Sequence, residues 1–167
     1  MKPKLAAAVK DLHEAELSLA SEYRRIGERH AADHDVFHIC HTLAQQCDAH
    51  AHALTSFAST RGVRLDESPA GDDSPWRSFL STLRRSVSTV TGRSDKTGPL
   101  LLSDLRHLFT AASDCEIAWT IVGQGAKASR DDELEQLFTE CCEETAGQLR
   151  WIKTKIKLAA PQVLTVG

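Results

Sequence analysis

The chain has 167 residues, a net charge of −3, 41% hydrophobic residues and five cysteines. That length fits one domain with a buried core, and so modest a charge excludes a strong electrostatic footprint for nucleic acid or an anionic membrane surface. No apolar run approaches the roughly 20 residues that span a bilayer, the N-terminus turns charged before a signal-peptide apolar region develops, and an odd cysteine count without framework spacing points to a reducing cytoplasm.

Ala, Leu, Glu, Arg and Gln are plentiful, and no alternating Val/Ile/Thr run suggests a sheet. Seam positions spaced by four and three residues mark four long helices. The first, about 4–29, carries Leu5, Val9, Leu12, Glu16, Leu19, Tyr23 and Ile26 on one stripe. "HAAD" breaks the chain and offers Asp33 as an N-cap. The second helix, about 34–59, aligns Cys40, Leu43, Cys47, His50, Leu54 and Phe57, with Gly62 beyond its end. The stretch "STRGVRLDESPAGDDSP" reads as loop. Ser74-Pro75 then opens a short amphipathic helix with Trp76, Leu80, Leu83, Val87 and Val90 on one side and Arg77, Arg84, Arg85 and Arg93 expected on a solvated face. After "TGRSDKTGP" a third long helix, about 103–127, aligns Leu105, Phe109, Ala112, Glu116 and Trp119. The fourth, about 131–158, aligns Leu134, Leu137, Cys141, Glu144, Gln148 and Trp151, with Lys153, Lys155 and Lys157 near its C-terminal dipole.

Two tight helix pairs joined by a crossover of about 60–102 predict an all-α fold in a single domain, 1–167. It is a four-helix bundle of two antiparallel helix pairs with a short extra helix in the crossover. Among bundle topologies this is the ferritin-like one.

Polar residues interrupt the stripes near their midpoints: Glu16, His50 with Gln46 beside it, Glu116, and Glu144 with Gln148. In an antiparallel bundle the midpoints share one level, so the six are expected to meet at the waist. Buried carboxylates each need a partner, a proton or a cation. Carboxylates and imidazole in a bundle core suit iron or manganese. The halves also echo each other, with Gln46 and His50 matching Glu144 and Gln148 at an offset of about 98.

"DLHEAELSLASEYRRIG" resembles the opening helix of YciF-like ferritin-like proteins, "CEIAWTIVGQGA" is similar to their third helix, and "ECCEETAGQL" to their fourth. The likeness covers the four long helices and is weak in the crossover. It implies a homodimeric bundle, a dinuclear metal centre in many members, and an association with stress responses. By that resemblance Glu16, His50, Glu116 and Glu144 keep metal-ligand residue types. Gln46 and Gln148 stand where further ligands are expected, and Cys47 stands where a Glu-x-x-His pattern would place Glu.

Those substitutions predict a partly eroded site holding no metal or one weakly bound iron or manganese ion, in a structural or interaction protein with no nucleic-acid or membrane partner. The alternative is a metal-dependent oxidase, ferroxidase or peroxide-handling enzyme using Glu16, His50, Glu116 and Glu144. A third reading is a small-molecule pocket in which the amides replaced the metal. Cys40, Cys47, Cys115 and Cys141 are expected as small buried hydrophobes, and Trp119 and Trp151 as core or dimer-interface anchors. His30, His34, His38, His41 and His52 are expected to face solvent. His34 and His38 could hold zinc or nickel, although such pairs are ordinarily polar surface.

Overall fold

A computed structural model describes residues 1–65 and 97–165, and among them every regular element is an α-helix: α1 (Pro3–Arg29), α2 (His34–Ser59), α3 (Thr97–Ser129) and α4 (Asp132–Thr165). The expected crossover helix, with its arginines, lies outside the described residues. Pro3 starts α1 at a position where a missing N–H costs nothing. Asp33 caps α2, its side chain accepting the Val36 N–H at 3.2 Å, as the sequence predicts. Gly62 takes φ +70° just past the end of α2, the left-handed conformation that favours glycine.

The last two helices are longer than their patterns suggest. α3 begins at Thr97 rather than near 103, and α4 continues to Thr165 rather than 158. Their added turns pack on each other, and Gly98 permits the approach: a Cβ there would lie 2.7 Å from Val163 Cγ2. Pro99 falls in the first turn, whose amides lack intrahelical partners in any case.

Contacts fix the direction of every helix. Glu16 meets His50 and Arg24 meets Asp48, so α1 and α2 are antiparallel. Glu22 lies by His107, Glu16 by Trp119 and Leu5 by Gly125, so α1 and α3 are antiparallel too. Asp33 pairs with Lys155 and Arg61 with Asp131, which sets α4 antiparallel to α2. It follows that α2 and α3 run parallel, with Ser59 and Thr97 at opposite ends of the bundle.

The seams of α1 and α2 are buried as read, from Val9 to Ile26 and from Cys40 to Phe57. Those of α3 and α4 are turned by about one residue. The buried face of α3 is Leu105, Leu108, Ala111, Ala112, Cys115, Trp119, Val122 and Ala126, leaving Phe109 and Glu116 at its flank. In α4 the buried face is Leu134, Cys141, Thr145, Gln148, Leu149 and Ile152, so Leu137, Glu144 and Trp151 stand at the edge. The cause is visible in α3, where Ile117 and Ile121 are exposed. Apolar residues on several sides leave the stripe's direction to the packing. Each fully buried Leu or Ile contributes about 1.5–3 kcal/mol.

Candidate functional site

At mid-height the bundle holds a connected polar network. His50 of α2 lies between two carboxylates: its Nδ1 is 3.0 Å from Glu16 Oε1 of α1, and its Nε2 is 3.2 Å from Glu144 Oε2 of α4. The Trp119 indole N–H donates to the same Glu16 oxygen at 2.5 Å, and its ring meets His50 edge-on at 5.9 Å. Glu16 and His50 are buried, whereas the Glu144 side chain is 52% exposed. Burial works against the charged imidazole, but hydrogen bonds with Cys141 and Glu16 and the Glu16 charge outweigh it, raising His50 to about 10. His50 is therefore an imidazolium at neutral pH and donates through both nitrogens. A neutral imidazole could donate to only one of the two carboxylates.

A second branch centres on Gln148 and meets the first through Cys47, whose thiol neighbours both Gln148 and Glu16. Gln148 Oε1 accepts the Tyr23 hydroxyl at 3.1 Å, and its Nε2 donates to Gln46 Oε1 at 3.3 Å. Cys47 Sγ lies 3.8 Å from the same Gln148 oxygen. Burial, together with the nearby Glu16 charge, pushes the Cys47 and Cys115 thiols well up, and burial also raises the Tyr23 phenol. Cys40 is raised to about 12, again chiefly by burial. All four cysteines expected to be buried are so and unbridged. A raised pKa is the opposite of what a nucleophilic or redox-active thiol needs.

Of the six residues expected at the waist, five belong to this network. Glu116 stands apart. Its carboxylate raises the pKa of Cys142, second to burial, and among the described residues it makes no hydrogen bond to Glu16, His50 or Glu144. The turned seam of α3 centres on Cys115 in its place, with Trp119 buried as expected. Gln46, Glu144 and Gln148 also line a cleft of about 680 Å³ between α2 and α4, with Leu43 and Trp151 on its walls.

A dinuclear metal does not fit this arrangement. Both His50 nitrogens are committed to carboxylates, Glu116 is elsewhere, and Gln46 and Gln148 bond each other. Glu16 Oε2 is buried without a hydrogen bond, but among the described residues no group of three or more His, Cys, Asp or Glu is placed to hold a metal ion.

Two further polar pairs join α1 to α3. Asp104, 1% exposed, accepts from His30 Nε2 at 2.8 Å and from Arg29 Nη1 at 3.0 Å. His30 is thus buried, not solvent-facing as its place in the break suggests, because Asp104 of α3 packs against it. Glu22 takes a two-pronged bond from Arg25, and His107 Nε2 lies 3.4 Å from it. The signal for these was the Asp104-x-x-His107 spacing, one helical face on α3. His41 is half-buried, hydrogen-bonded to the Phe37 carbonyl at 2.9 Å and 3.2 Å from Glu28. His34, His38 and His52 are exposed, as expected.

No protein-family model matches the chain, and a search of curated proteins finds no match either. No helix among the described residues is long and apolar enough to cross a membrane.

Proposed function

We propose that this chain is a ferritin-like protein of the YciF type, acting as a stress-associated structural or interaction protein whose waist is a metal-free polar network. The reading is carried by His50, whose two ring nitrogens face Glu16 and Glu144. An imidazolium there supplies the positive charge that two carboxylates at a bundle's waist require. Gln46 and Gln148, where a metal site would offer charged ligands, satisfy each other instead. The parallel run of α2 and α3 also supports it, since a bundle with one long crossover needs that arrangement. A cytoplasmic homodimer completes the proposal, with exposed Ile117 and Ile121 on α3 available to an interface between copies.

The test is elemental analysis of untagged protein from iron- and manganese-replete cells. Less than one metal ion per chain is expected. Two tightly held irons per chain would overturn the reading in favour of an oxidase or ferroxidase. That alternative requires iron(II)-dependent oxygen uptake that disappears in Glu16→Ala.

A further inference from the structure

His34 and His38 stand four residues apart on exposed positions in the first two turns of α2. Residues four apart on a helix lie one above the other, with Cβ atoms about 5–6 Å apart. Their rings are nearly parallel, 19° between planes, with centroids 6.3 Å apart. Among the described residues their ring nitrogens make no hydrogen bond or ion pair, unlike those of His30, His41 and His50. The turn that carries them is anchored at its start. Asp33 accepts the Val36 N–H at 3.2 Å and pairs with Lys155 of α4 at 3.0 Å, and Phe37 meets His38 edge-on at 5.2 Å.

We propose that His34 and His38 form a surface site for an imidazole-preferring divalent transition-metal ion, with copper(II) held more tightly than nickel(II) or zinc(II). Each ring supplies one nitrogen at about 2.0–2.1 Å, and both rings, being exposed, turn toward a shared ion without displacing a neighbour. The helical backbone fixes their separation in advance, so the second nitrogen binds without ordering a loop. The positive end of the helix dipole opposes a cation here, and the Asp35 carboxylate in the first turn offsets it. Among the described residues no third His, Cys, Asp or Glu is placed to join the pair, so water completes the coordination and the ion stays exchangeable. The preference for copper(II) follows from the general order of divalent affinities at nitrogen ligands. The site is separate from the waist, since His50 lies about 18 Å further along α2.

Untagged, metal-stripped full-length chain would be titrated calorimetrically with copper(II), nickel(II) and zinc(II) chloride in separate runs at neutral pH. One ion per chain is expected, copper(II) the tightest, with a copper resonance spectrum split by two imidazole nitrogens. His34→Ala and His38→Ala each remove half the chelate and should weaken copper(II) binding by roughly tenfold or more, at least the loss seen for second-shell partners of a ligand. Both positions are exposed, so unchanged helicity is expected in each variant. His52→Ala, at an exposed histidine of α2 away from the pair, should leave the copper affinity unaltered. Wild-type affinity in both His34→Ala and His38→Ala, a single-nitrogen spectrum, or loss of binding only in His52→Ala would each overturn the proposal.

Discussion

Replacing His50 by glutamine removes the imidazolium that bridges α1, α2 and α4. The folded chain holds its proton up to about pH 10, while an unfolded chain releases it near 6.5. The contribution of that charge is complete below pH 6.5. Between there and about pH 10 the folded state binds one proton more, so stability falls as pH rises, by up to 1.36 kcal/mol per pH unit. From 6.5 to 8.5 the loss is therefore at most about 3 kcal/mol. The Glu144 arm of the bridge is half exposed, and solvent screening takes the expected value down to about 1–2 kcal/mol. At pH 6 the variant should be less stable than wild type by about 3–5 kcal/mol, because buried Glu16 loses its counter-charge. Urea unfolding at pH 6, 7, 8 and 8.5 measures both proteins. Cysteines that ionise only when unfolded lower the stability of each alike toward higher pH, so the difference between the two isolates His50. That difference should shrink steadily from pH 6.5 upward. A constant difference would mean that His50 is neutral when folded, and the bridge described here would be refuted.

Among the described residues, Tyr23→Phe leaves Gln148 Oε1 with only the weak Cys47 thiol as donor and should cost about 1–2 kcal/mol in the same unfolding assay. Asp104→Asn weakens the bonds from Arg29 and His30 that tie α1 to α3, an expected loss of about 1.5–3 kcal/mol. Gly123→Ala and Gly147→Ala should move thermal stability in opposite directions. A Cβ at Gly123 would lie 2.5 Å from Phe138 Cγ, and overpacking of that kind costs about 1–3 kcal/mol. At Gly147 nothing comes closer than 3.6 Å, so alanine gains about 0.5–1 kcal/mol of helix propensity.

The sequence by itself determined that the chain is helical, where α1 and α2 begin and end, and which faces of these two are buried. Their apolar residues keep to one stripe, so periodicity and facing coincide. It also placed Glu16 and His50 inside, because both interrupt an otherwise apolar seam. Only the tertiary structure decided how α3 and α4 are turned. α3 carries apolar groups on several sides, and a helix of that kind takes its facing from what it packs against. A turn of one residue moves Glu116 to the flank and leaves Cys115 and Trp119, both expected inside, as the groups α3 presents at the waist, a thiol and an indole donor without the carboxylate. The facing of α4 leaves Glu144 at the cleft, half in water. Ion pairs between distant segments, such as His30 with Asp104, were likewise out of reach, since they depend on how α3 is set against α1. The waist's composition could be read along the chain, but its chemistry depends on which nitrogen faces which oxygen, and helix packing alone sets that.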